Sequence, residues 1–321
     1  YALDDVRETR ALSAILSPSY FYQTQLIPYS YQSCAVRGNA TRIDAMLVAA
    51  YLDSGTAVSA PEGARAFAGA LTEAFHAGVF KNVWHCDVRS LYPSIILAEK
   101  WCPKRDELGV FPEFLAKLRD FRLLAKDAER KAGSKEQKDY FNALQTTFKI
   151  LINSFYGYLG FSQGTFNDFA MAEKVTAKGR DILSSMKDFL EKSGANVIEM
   201  DTDGIYFQPP PKVTDTDKMR ELIQSVLPEG IEVELDETYH SMFCYKSKNY
   251  ALLTNDGEVA MTGAALKSRG LEPFQRDYMR SFIELLLKED YRAIGEMTSG
   301  YKDAIQDRKW PLANLAKTET L

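Results

Sequence analysis

The chain has 321 residues, 45% of them hydrophobic, and a formal charge of −5 from 39 basic and 44 acidic side chains. That is ample for a buried core and long enough for two or three subdomains. No apolar run reaches about 18 residues, which excludes a membrane-spanning helix, and the mild acidity argues against a uniformly basic nucleic-acid binder but not against a locally basic groove.

The N-terminal stretch from Tyr1 lacks a basic region followed by an apolar one, so no signal peptide is expected. Residues 16–62 carry mixed signals, with helical spacing at Ile43, Met46, Leu47 and Ala50 before Pro61. Val79–Val88 reads as a strand entering Asp87, and Ser90-Leu91-Tyr92-Pro93-Ser94 breaks it, since proline cannot continue a central strand. Helices are predicted over 112–131, with Phe114, Leu115, Leu118, Phe121 and Ala125 on one face, and over 135–155; Gly133-Ser134 joins them as an antiparallel pair. A third helix is predicted over 168–192. Short apolar runs around Asp201-Thr202-Asp203-Gly204 predict a hairpin, because Asp-Gly between strand-like residues is a strong turn signal. A short helix over 215–226 and strands over 231–235, 242–253 and 258–266 follow, then helices over 273–288 and 291–305. The expected class is α+β, a mostly antiparallel sheet with a helical hairpin inserted after its first strand.

Cys34, Cys86, Cys102 and Cys244 form no Cys-x-x-Cys pair, and His76, His85 and His240 are scattered, so zinc and disulfide chemistry are not expected and a reducing compartment fits. Asp87 at a strand end and Asp201 and Asp203 at a hairpin tip can meet in an antiparallel sheet. Three aspartates without a nearby histidine suit a hard cation, Mg²⁺ or Mn²⁺, which shares its shell with substrate phosphates. Taken alone, the hairpin is better read as an Asp-rich surface turn. Arg119, Arg122, Lys126 and Arg130 share one helical face; Gln145, Lys149 and Asn153 share another. These are ordinarily solvated faces, but Asn153-Ser154-Phe155-Tyr156-Gly157 follows directly, placing Tyr156 where a base could stack.

Asp87-Val88-Arg89-Ser90-Leu91-Tyr92-Pro93-Ser94-Ile95-Ile96 resembles the first palm motif of family B DNA polymerases. Gln145, Lys149, Asn153, Ser154, Tyr156 and Gly157 resemble the fingers motif, and Asp201-Thr202-Asp203 the third motif. Lys248-Asn249-Tyr250 and Arg269-Gly270-Leu271-Glu272 resemble the later palm segments that hold the primer end. A lone Asp-Thr-Asp is weak; four motifs in the family's order are strong. The resemblance implies a palm sheet with fingers made by the helical hairpin. The expected divisions are a connector over 1–74, palm over 75–103 and 159–290, fingers over 104–158, and palm end and thumb start over 291–321. It implies templated addition of dNMP to a primer 3′-hydroxyl, with two Mg²⁺ ions (Mn²⁺ as a substitute) held by Asp87, Asp203 and the Val88 carbonyl. Asp201 would lie beside the metals. Ser90 and Leu91 would offer amides to the triphosphate, with Arg122, Lys126, Lys149 and Asn153 also holding it. Lys149 would protonate the leaving pyrophosphate, and Tyr92 would exclude a ribose 2′-hydroxyl. Tyr156, Gly157, Lys248, Tyr250, Arg269 and Gly270 would contact DNA. The implied partners are primer–template DNA, dNTPs and either separate exonuclease and thumb segments or replication subunits, in cytoplasm, nucleoid or nucleus.

The chain departs from the family at two positions. Glu199 stands where a tyrosine is usual, and Gly204 where a serine is usual. By strand alternation Glu199 shares a face with Asp201 and Asp203; an acid added near the metal site would raise a neighbouring carboxylate's pKa or shift metal preference, and the direction of its side chain decides. No exonuclease carboxylate motif is recognised in residues 1–80, and the thumb is expected to begin near Arg308. The competing reading is a polymerase-like module without catalysis, kept for DNA binding or assembly, or inactive because it is incomplete.

Overall fold

The computed structural model describes residues 2–267 and 270–317. They form two compact units, each built from separated stretches of chain. Tyr1–Gly69, Ser90–Gly179 and Glu229–Ile231 make a helical unit; Ala70–Arg89, Arg180–Pro228 and Glu232–Leu321 make a sheet unit. Among the described residues, no helix is long and apolar enough to cross a membrane.

The helical unit begins with α1 (Ala2–Gln23), α2 (Tyr31–Val36) and α3 (Asn39–Asp53). Of these only α3 carries a continuous apolar stripe, with Ile43, Met46, Leu47 and Tyr51 buried. Buried Arg42 ties α1 to α3 by donating to Gln23 Oε1 at 2.6 Å and Asn39 Oδ1 at 2.7 Å. After α4 (Leu91–Ala98), α5 (Val110–Lys131) and α6 (Lys135–Leu159) form the expected antiparallel pair. The N-cap of α5 is Gly109, which has no side chain to cap with, so Asp106 takes the task. It is 5% exposed and accepts from Val110 N–H at 3.2 Å, Phe111 N–H at 2.7 Å and the Tyr51 hydroxyl at 2.9 Å. Hydrogen bonds to a charged acceptor contribute about 1.5–3 kcal/mol each, enough to fix where α5 starts. Phe111, Leu115 and Leu118 of α5 and Phe148, Leu151, Ile152 and Phe155 of α6 are buried, which leaves Lys149 and Asn153 on the exposed face. α7 (Phe169–Lys192) leads out of this unit.

The sheet unit holds β1 (Thr72–Ala74), β2 (Gly78–Val88), β3 (Asn196–Asp201), β4 (Gly204–Gln208), β5 (Val233–Lys246), β6 (Asn249–Thr254) and β7 (Val259–Thr262). All pairs are antiparallel, in the order β1-β3-β4-β2-β5-β6-β7. The helical hairpin therefore follows the second strand, not the first; β1 is three residues long and too short to leave a period-2 signal. Flat, the sheet would separate β3 from β5 by three spacings of about 4.8 Å, beyond the reach of one side chain. Glu199 on β3 nevertheless accepts the Lys248 N–H at the β5–β6 turn, so the sheet curls. Its concave core gathers Val83, Ile198, Tyr206, Met242 and Leu252. A short α8 (Thr216–Gln224) is capped by Asp215, while α9 (Pro273–Leu287), α10 (Tyr291–Gln306) and α11 (Leu312–Leu315) close the chain.

The strand breaks where expected, β2 ending at Val88, and 91–98 then form α4, an unexpected helix. Two further expectations are corrected. The predicted strand 242–253 is two strands, separated at Ser247–Lys248 where Lys248 takes φ +58°. α6 also runs a turn further than expected, to Leu159.

Candidate active site

β2 pairs with β4 so that Asp87 lies opposite Gly204, and the Val88 N–H donates to the Asp203 carbonyl at 2.8 Å. The hairpin tip is a tight reversal. Asp203 N–H donates to the Asp201 carbonyl at 2.7 Å, and Thr202 sits at φ +63°, a costly conformation for a β-branched residue. Lys248 supports the tip, its Nζ donating to Asp201 Oδ1 at 2.5 Å and Thr202 Oγ1 at 3.1 Å. The predicted hairpin and the juxtaposition of Asp87 with Asp203 are thus present.

Electrostatics at this point are strained. Burial, then the charges of Asp203, Glu234 and Glu237, push the Asp87 carboxyl up to about 7. Burial and Asp201 also hold Asp203 above the usual carboxylate range. Neither Asp87 nor Asp203 forms an ion pair among the described residues, where no cluster of three or more His, Cys, Asp or Glu side chains is placed to hold a metal. The donor set is two carboxylates and nearby carbonyls. That is too few for a protein cage, and it suits a Mg²⁺ ion that keeps waters and takes further oxygens from substrate.

His85 corrects the expectation that no histidine lies near. A Cβ on Gly204 would fall 2.5 Å from His85 Nε2 and 3.3 Å from Asp87 Oδ1. The imidazole stacks on Tyr206 at 4.3 Å, and its Nδ1 lies 3.4 Å from Glu237 Oε2; burial lowers its pKa and keeps it neutral. Its i, i+2 relation to Asp87 was the available signal. Glu234 and Glu237 on β5 were also missed. They sit opposite Asp87 and His85 across the β2–β5 ladder, a pairing the sequence does not display.

Glu199 is not an added metal-site acid. It is fully buried and uses its carboxylate on the Lys248 N–H at 2.7 Å and the Cys244 thiol at 3.5 Å. The β3–β4 pairing is regular from Glu199 to Asp201, so these two do share a face, and Lys248 meets both, its N–H on Glu199 and its Nζ on Asp201. Tyr250 is also buried, its hydroxyl 3.2 Å from that of Tyr206. Gly270 lies in the turn before α9, and Arg269 falls outside the described residues.

The remaining site residues lie in the helical unit. Ser90, at φ +48°, is the N-cap of α4, so the amides of Leu91 and Tyr92 open that helix. The Tyr92 ring packs on Tyr156 with centroids 4.3 Å apart. Behind it Gly179 of α7 approaches so closely that a Cβ there would lie 3.1 Å from Tyr92 Cε1. Arg122 and Lys126 are half-buried on α5, while Lys149, Asn153 and Gly157 are exposed on α6.

The sequence profile of DNA polymerase family B matches residues 103–319. A DNA polymerase of Archaeoglobus fulgidus is 29% identical over 311 residues, covering 90% of this chain and 40% of that protein. One from Thermococcus sp. is 26% identical, covering 93% and 44%. The structure of the family B DNA polymerase of Pyrobaculum calidifontis superposes with a TM-score of 0.77 at 23% identity, over 100% of this chain and 45% of that one. The chain spans about two fifths of the length of these curated relatives.

Proposed function

Because the chain belongs to DNA polymerase family B, we propose that it is the fingers and palm of a DNA-templated DNA polymerase, adding dNMP to a primer 3′-hydroxyl. On this reading residues 75–103 and 159–290 are palm and 104–158 fingers, with a connector over 1–74 and the thumb starting within 291–321. The observation that carries it is the Asp87–Asp203 pair, two half-buried carboxylates, Asp87 raised in part by repulsion from Asp203 and neither in an ion pair among the described residues. A divalent cation relieves that repulsion, so the donor set fits two Mg²⁺ ions, with Mn²⁺ as a substitute. Asp87, Asp203 and the Val88 carbonyl hold them; when bound, they neutralise charge on the attacking and leaving oxygens.

The chain's own groups do the rest. Ser90 and Leu91 present backbone amides to triphosphate oxygens, since helix N-termini favour anions. Arg122, Lys126, Lys149 and Asn153 bind the same group. Lys149 donates a proton to the departing pyrophosphate oxygen, and Tyr92 packs against the deoxyribose. Lys248 reaches the primer end while holding Asp201. Positioning and charge neutralisation account for most of phosphoryl-transfer catalysis, and these groups supply both.

The test is single-nucleotide extension of a labelled primer–template with Mg²⁺. The unmutated chain should extend, and Asp203→Ala should lose activity by on the order of 10²–10³-fold or more while keeping its far-ultraviolet circular dichroism. Turnover retained in the variant overturns the metal assignment. A folded, unmutated chain that binds primer–template but never extends it favours the non-catalytic module.

A further inference from the structure

The departure at Glu199 has a structural use. A glutamate at 0% exposure normally needs every lone pair engaged, and this one is held by two donors, the Lys248 backbone N–H and the Cys244 thiol. Both lie on or beside the β5–β6 turn, three strands away by pairing. That turn carries no glycine, and Lys248 occupies it at φ +58°, a conformation that costs roughly 1 kcal/mol or more for a non-glycine residue. Asn249 braces the same turn, donating to the Ser247 carbonyl at 2.9 Å and accepting from Ala265 N–H at 2.9 Å. The Lys248 side chain then leaves the turn toward Asp201 and Thr202. One buried carboxylate thus fixes the backbone from which the only lysine on the hairpin tip projects, among the described residues.

We propose that Glu199 is a positioning residue that clamps the Lys248 backbone, so that the ammonium stays on Asp201 at the primer-end side of the site. The clamp itself is independent of the polymerase reading; its kinetic consequence rests on that reading. Glu199→Met keeps the volume and removes the acceptor, while Glu199→Gln keeps an acceptor and removes the charge.

In the full chain, acylation of Lys248 by an amine-reactive ester, read by peptide mass spectrometry, should be about two- to fivefold faster in Glu199→Met, the range expected for releasing an exposed ion pair. Glu199→Gln should label at the unmutated rate. Equal labelling in all three chains overturns the clamp, as does Gln behaving like Met. Amide exchange at Lys248 in the unmutated protein decides the matter if Glu199→Met does not fold. Protection supports the clamp; free exchange overturns it. In primer extension, Glu199→Met should raise KM for primer–template and leave KM for dNTP unchanged. A labelling shift in a chain that never extends a primer keeps the clamp and overturns the polymerase reading.

Discussion

At pH 8 Asp87 ionises against Asp203, Glu234 and Glu237. Its folded pKa, about 7, lies above its ordinary 3.8, so the protonated form is the one the fold favours. The stability it contributes is complete below 3.8 and is lost as pH rises through about 7. If Asp87 holds Mg²⁺ as proposed, the ion would restore what ionisation removes. Its effect on Tm should therefore be larger at pH 8 than at pH 6, and Asp87→Asn should flatten the difference; equal shifts at both pH values in a thermal melt would remove Asp87 from the metal site. Gly204 belongs to the same group of contacts. A serine there would meet His85 Nε2, and the imidazole is held between Tyr206 and Glu237 rather than free to swing, so glycine at 204 and histidine at 85 are one arrangement. Tyr92 has an analogous neighbour. Gly179→Ala gains up to about 1 kcal/mol of helix propensity but pushes its Cβ against the Tyr92 ring. The dNTP-over-rNTP preference in primer extension should fall, and Gly179→Ala added to Tyr92→Ala should change nothing further. Additive effects would separate the two residues. The meeting of Asp87 with Asp203 was legible because motif and spacing mark both. His85 was within reach through its two-residue offset. Glu234 was not, because only the β2–β5 register brings it to Asp87.

Among the elements, α5, α6 and α7 could be read closely because one face of each is buried and the period is plain. α4 was lost to Pro93, which reads as a breaker. It stands in the first turn, where a backbone N–H has no helical partner to lose. α1 was lost because Leu3, Val6, Leu12 and Ile15 are all exposed and define no core face. The stretch 55–71 has no regular structure beyond turns and still is not loose. Buried Asn167 accepts from Glu62 N–H at 2.7 Å and donates to its carbonyl at 3.0 Å, while Thr176 donates to the Ala68 carbonyl at 2.9 Å. Asn167→Ala should cost about 1–3 kcal/mol in urea unfolding, because it strands buried partners, and should open a cleavage site within 55–71 in limited proteolysis. Unchanged resistance there would show that Thr176 and the Arg65–Glu173 pair suffice.

For the whole molecule, no local pattern announces that the chain divides into units drawn from interleaved stretches. Periodicity finds elements, but membership of a unit is decided by pairings such as Asp87 with Gly204. Those distant pairings carry a loop-closure cost that the α5–α6 hairpin does not. On refolding from urea, ellipticity at 222 nm should recover before the fluorescence of Trp84, which packs on Phe207 across the sheet, in a chain carrying Trp101→Phe and Trp310→Phe. Coincident phases would show that sheet and helices form together. The same order has a cost on the ribosome. β2 emerges before both its neighbours: neither β4 nor β5 exists until more than a hundred residues later, on the order of ten seconds at cellular translation speed. For that interval a nascent, valine- and aromatic-bearing segment is without either neighbour, open to other chains in a crowded cell. Lys81 and Asn82, polar and exposed at its middle, stand where a gatekeeper against such capture belongs.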